Sequence, residues 1–182
     1  MKILIIISLL LIPLSSYAVE ISGPDVTISN GQIIVNASLT GLDREFEDNL
    51  KAGVEKELVF YVDLFRVWHI WPNEFVSGKK IEKIVKYDPL KSEYKASSYD
   101  GLYLIKRSFR DYNSMMQWFL FIRDIRLINT KELEPGTYLV KVTVESRLRK
   151  LPPVIGYMLF FIPEVEFKVE KSSQPFAIGG RR

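Results

Sequence analysis

His69 is the only histidine in the chain, within Val67-Trp68-His69-Ile70-Trp71, and there is no cysteine. A transition-metal site could therefore hold at most one imidazole and no thiolate. A cysteine nucleophile and a disulfide framework are excluded outright. For nucleophilic catalysis His69 would need an orienting carboxylate. The nearest by pattern is Asp63, on the same face of an extended run and about 20 Å away, too far to hold the imidazole. No Gly-x-Ser-x-Gly elbow occurs, and that turn is what exposes a serine nucleophile in one large hydrolase class. Glu164 and Glu166 alternate with Val165 and Phe167, which sets the two carboxylates about 7 Å apart on one strand face. That spacing suits a glycosidase pair, although alternating acids are also what a solvated strand face looks like. Asp63 interrupts an apolar run and marks a bulge, a binding groove, a satisfied buried carboxylate or an edge position. A phosphate loop, an EF-hand and a dinucleotide fingerprint are all missing, so the sequence calls for no cofactor and no metal. A metal-independent hydrolase is the outsider, and binding without catalysis is the expectation.

Two features could bind. The first is Leu151 to Pro163, LPPVIGYMLFFIP, uncharged throughout and directly preceded by Arg147, Arg149 and Lys150. It either closes one end of a core or forms an exposed patch with a basic collar. In the second case Arg147, Arg149, Lys150, Tyr157, Phe160 and Phe161 would dock on a membrane surface or on an inner-membrane protein, since apolar burial then adds to attraction for anionic lipid. It is too short to span a bilayer, which takes about 20 apolar residues. The second feature is the aromatic load of residues 57–71. Tyr61, Phe65 and Trp71 share one alternating face with His69 among them, and belong either to the core or to a pocket for an apolar or sugar-like ligand.

Composition limits the partners. Lys and Arg number 25 and Asp and Glu 22 in 182 residues, for a net charge of +3, with 47% hydrophobic and 26% charged residues. Those fractions are those of a folded globular chain. Residues 1–18, MKILIIISLLLIPLSSYA, read as a signal peptide: Lys2 supplies the positive end, an apolar run follows, and Ser16 and Ala18 are the small residues a peptidase reads. Cleavage after Ala18 would leave a near-neutral chain in the periplasm or cell envelope. A weak charge excess and export both argue against nucleic acid as a partner. The sequence sets no oligomeric state.

The elements that must position these residues read as mainly β with two or three short helices. Asn30-Gly31 lies between two runs rich in β-branched residues and predicts a hairpin, because a type I′ turn needs positive φ at both centres. Asp43 can cap a short acidic helix with Phe46, Leu50 and Val54 on its buried stripe and Gly53 at its end. A long central strand is expected from Glu57 to Trp71. Strands follow at 80–87, 93–98 and 102–107, then a helix to about Phe121 that Ser108 and Asp111 would cap, with Tyr112, Met115, Met116, Phe119 and Leu120 buried. Further strands are expected at 122–128, 137–147 and 164–170, the last two with clean alternation. Residues 19–170 would then be one β-rich domain, an antiparallel sandwich or rolled sheet of immunoglobulin-like or related kind, and 171–182 a disordered tail.

In order and spacing, Leu50, Gly53 and Val54, then Tyr87-Asp-Pro-Leu90-Lys-Ser-Glu-Tyr94, then Leu151-Pro152 before an apolar segment, resemble a family of exported bacterial proteins known as domain of unknown function 4390. The resemblance covers most of residues 22–170. It implies export and, in some bacteria, genes beside those of membrane sensor kinases; it carries no catalytic residues.

Overall fold

Asn30 and Gly31 have φ of 51° and 74°, so the turn between the first two strands takes the left-handed geometry that Asn-Gly favours. The computed structural model describes residues 19–42, 45–148 and 164–179. The leader and its cleavage point at Ala18, the helix cap expected at Asp43, and Arg149, Lys150, Tyr157, Phe160 and Phe161 lie outside the described residues, as do 180–182.

The hairpin pairs β1 (Glu20–Ser29) with β2 (Gln32–Thr40), and β7 (Phe121–Asn129) adds to the far side of β2, giving a three-stranded antiparallel sheet. The larger sheet is built on β3 (Lys56–Arg66), β4 (Glu74–Asp88), β5 (Glu93–Tyr99) and β6 (Leu104–Phe109), which pair in sequence order. On the other side of β3 lies β8 (Gly136–Leu148), whose outer edge carries β9 (Glu164–Ser172) and β10 (Phe176–Ile178). The chain is thus mainly β, with antiparallel sheets in a sandwich-like arrangement that does not close into a barrel.

Strand alternation selects the core. Ile33, Val35 and Leu39 of β2 face Leu58, Phe60, Val62 and Leu64 of β3 and Val140, Val142 and Val144 of β8, all buried in one cluster. Two short helices seal it. Helix α1 (Glu45–Lys51) buries Phe46 and Leu50 and keeps its acidic first turn against the positive end of its dipole. Gly53, at φ 89°, ends it, with the N–H groups of Gly53 and Val54 returning to Leu50 O and Asn49 O, each at 3.0 Å. Helix α2 (Tyr112–Leu120) buries Met115 and Phe119, and the Phe119 ring lies 5.8 Å from that of Phe46.

Three expectations need correction. The central strand stops at Arg66 rather than Trp71; its last ladder bond is Val67 N–H to Thr137 O, 2.8 Å, and Trp68 to Asn73 form a loop. The alternation of apolar residues continued past the strand because the loop is itself apolar, and periodicity cannot separate the two. The cap of α2 is Asp111, extended at φ −102° and accepting from Ser114 N–H at 2.7 Å, whereas Ser108 pairs with Lys95 inside the sheet. Most of the C-terminal tail is ordered: β9 runs to Ser172, and β10 pairs Phe176 to Ile178 with Tyr138 to Gly136. Lys171 and Ser172 end β9, and Ser173 to Pro175 connect it to the apolar Phe176-Ala177-Ile178 of β10, too short a run for periodicity to reveal.

Candidate functional site

The four residues expected to line a pocket do not converge. The Tyr61 hydroxyl accepts from Arg147 Nη2 at 3.0 Å, and the same nitrogen donates to Glu145 at 2.7 Å, while Lys168 holds the other Glu145 oxygen at 3.2 Å. This is a polar ladder across β3, β8 and β9. It also occupies Arg147, the one member of the expected basic collar among the described residues. Phe65 meets Phe75 edge-on at 5.9 Å, with the Lys141 ammonium 5.1 Å over its ring. His69 and Trp71 lie beyond the strand end, exposed. Neither of the two clefts described below is lined by any of the four.

The carboxylates are also engaged. Asp63 pairs in register with Gly78, and a Cβ at Gly78 would collide with Asp63 Oδ1 and stand 3.2 Å from the Phe75 ring. Gly78 therefore makes room for this side chain. Burial raises the Asp63 carboxyl above its ordinary pKa, and the Lys141 charge offsets part of that. Glu166 accepts from Lys56 Nζ at 2.5 Å and from Ser146 Oγ at 2.6 Å. With Lys56 buried, Glu166 is its counter-ion in the structure rather than a free carboxylate. No group of three His, Asp or Glu among the described residues could hold a metal ion.

Two surfaces remain that could act. The first is the loop between β3 and β4. Ile70 is 89% exposed and Trp71 73%, with Trp68 and Phe75 also at the surface. The base of the loop is fixed: the Arg66 guanidinium stacks 4.4 Å from the Trp68 ring and pairs with Glu134 at 2.6 Å, and Trp68 Nε1 donates to Glu74 at 3.2 Å. Ile70 and Trp71 project from a held support.

The second is a cleft of about 350 Å³ between the β4–β6 face and β7. Ile81, Ile105, Phe121 and Ile122 supply apolar wall, and Lys79, Lys83, Arg123 and Arg126 supply cations, against Asp100 and Asp124. Lys83, 5% exposed, donates from Nζ to Trp118 O at 2.6 Å and to Phe121 O, closing the carbonyl end of α2. Burial, and then the charges of Arg123 and Arg107, push its pKa down to about 7. Arg123 and Asp124 oppose Asn36 as a β-bulge, with Asp124 at φ 54° and its N–H on Asn36 Oδ1 at 2.8 Å. On the other face of β4–β6 a second cleft, about 560 Å³, includes Lys86, Lys95 and Lys106 together with Glu55.

Sequence reading missed this basic region because its members are far apart in the chain. One signal was present: Lys83 shares strand parity with Ile81 and Val85, both buried.

No helix among the described residues is long and apolar enough to cross a membrane. The family described as a domain of unknown function, DUF4390, matches over residues 17–174. The chain belongs to that family. No curated protein and no solved structure matches it.

Proposed function

We propose that this member of the DUF4390 family is an exported, non-enzymatic interaction module that rests on a membrane surface, with the β3–β4 loop as its contact. The observation that carries the reading is the exposure of Ile70 and Trp71 on a loop whose base is pinned by Arg66, Trp68 and Glu74. Large apolar side chains held in water at a loop tip gain by leaving it, roughly 1.5–3 kcal/mol for a fully buried Ile. Trp adds a ring with an apolar body and a polar N–H, the combination favoured at the lipid headgroup level. The apolar run Leu151 to Pro163, which follows Arg149 and Lys150 in the sequence, offers a second contact of the same kind. From that position the module would serve a neighbouring membrane protein such as a sensor.

The test is sedimentation of the chain from Val19 onward with phosphatidylethanolamine and phosphatidylglycerol vesicles. The expected result is binding with a blue shift of Trp emission, retained at about 1 M salt, where the Debye length is about 3 Å, and lost in Ile70→Ser/Trp71→Ser. Failure of the parent chain to sediment would overturn the lipid reading. Crosslinks from position 70 to a protein in membrane fractions would then reassign the tip to a membrane protein.

A further inference from the structure

Strand β6 ends the larger sheet. It pairs with β5 from Tyr94↔Phe109 to Tyr99↔Leu104, and no described strand pairs with its other side. Leu104 to Ser108 are all exposed, including Leu104 at 58% and Ile105 at 50%. An apolar edge of this kind is a template for another strand, and folded chains normally cover or blunt it. Here no described strand covers the edge, and Lys106 and Arg107 blunt it by charge against basic strands while leaving it suited to an acidic one. Lys79, Arg123 and Arg126 line the cleft on one side of β6, where Arg107 shares the face of Ile105 and sits 5.8 Å over the Trp118 ring, and Lys106 lines the cleft on the other. None of these five makes an ion pair with a described carboxylate, in contrast to Lys56, Arg66, Lys95, Lys141 and Arg147. Of the two acids at the inner cleft, Asp100 already accepts the N–H groups of Leu102 and Tyr103, at 3.0 and 2.7 Å.

We infer that the β6 edge and the basic clefts on its two faces receive an extended acidic segment of a partner protein, added to the sheet as one further antiparallel or parallel strand. Backbone pairing with β6 supplies affinity, and alternate side chains supply selectivity. Residues turned to the inner cleft meet Ile105 and Phe121 and the guanidinium groups of Arg123 and Arg126, so apolar or acidic side chains fit there. Residues turned outward meet Lys106, where carboxylates fit. The length of β6 sets the contact at about six residues. An amphipathic small anion would use the inner cleft but would leave the strand edge unpaired. The site shares no residue with the β3–β4 loop and does not depend on the membrane reading.

The probe is a fluorescein-labelled peptide of alternating Val and Glu, eight residues long, titrated against the chain from Val19 onward by anisotropy. Three comparison peptides separate the causes: the same pattern with Lys for Glu, the Val/Glu peptide with alternate amides N-methylated, and the Val/Glu peptide with a central Pro. The expected result is saturable binding of the Val/Glu peptide alone, weakened roughly tenfold or more by Arg123→Glu/Arg126→Glu and by Lys106→Glu/Arg107→Glu. All four of these side chains are exposed, so the variants should fold, and circular dichroism checks that. The inference is overturned if the Val/Glu peptide does not bind, if the N-methylated peptide binds equally well, or if dodecanoate competes it off fully at equal occupancy of the inner cleft. Ile70→Ser/Trp71→Ser should bind the peptide like the parent, so a failure here and a failure of the membrane reading are distinguishable.

Discussion

Lys83 Nζ donates to the carbonyl of Trp118 at 2.6 Å, so a side chain from the middle of β4 terminates helix α2. The amine form retains two N–H donors and can serve both the Trp118 and Phe121 carbonyls, which makes the neutral state workable inside the fold.

A pH dependence follows. The Lys83 pKa falls to about 7 in the folded chain, against an unfolded value near 10.4. Between these values the unfolded state binds more protons, so stability rises with pH across that window and is lowest where Lys83 is charged in both states. Urea melts from pH 6.5 to 10 should show a higher midpoint with rising pH. Lys83→Met should flatten that slope relative to the parent. It should also cost stability at pH 10, because two helix-end carbonyls lose their donor, each worth roughly 1–3 kcal/mol when left buried.

Gly78→Ala should destabilise by roughly 1–3 kcal/mol, since the new Cβ meets Asp63 Oδ1 and crowds the Phe75 ring. Asp63→Ala in the same chain should recover part of the loss, and the coupling in a double-mutant cycle measures the Asp63 share. Equal, additive costs for the two changes would rule out the contact.

Asp111→Ala should cost about 0.5–2 kcal/mol through loss of the α2 cap, while Ser108→Ala should change stability by less than about 0.5 kcal/mol. Thermal melts of the two variants decide which residue starts the helix.

Ile70→Ser and Trp71→Ser should each leave the melting temperature close to the parent's, because both side chains are in water. Trp68→Ser should lower it, since that ring stacks on Arg66 and its indole N–H holds Glu74. A large loss in the Ile70 variant would mean the tip is packed, and would count against its role as a contact surface.

Much of the fold was legible in the sequence, for local reasons. Asn30-Gly31 dictated a turn geometry that few other pairs accept, and Tyr138, Val140, Val142 and Val144 alternate without interruption in a strand buried on one side. Phe46 and Leu50, or Met115 and Phe119, are spaced for one helix face. The failures came where composition stands in for environment. Residues 68–71 are as apolar as the strand before them, and only the missing ladder partners mark them as loop. Lys171 and Ser172 read as the start of a polar tail, and only their pairing with Val142 and Lys141 marks them as strand. The inner cleft needs Lys79, Ile105 and Arg123 together, three positions that only the sheet order and the packing of β7 bring to one place.

The pairing of β3 with β8 runs unbroken from Lys56↔Leu148 to Arg66↔Tyr138. In kinetic terms this is a costly contact, as is that of β2 with β7, because β3 and β8 are separated by the whole β4–β7 stretch and the loop between them must close before the pair is rewarded. A chain synthesised only as far as β7 can form the meander from β3 to β6, yet β3 then carries a bare apolar edge where β8 belongs. Completion of the central sheet waits for residues 136–148, and until they arrive the nascent chain presents a strand destined for burial along most of its length to whatever holds unfolded proteins.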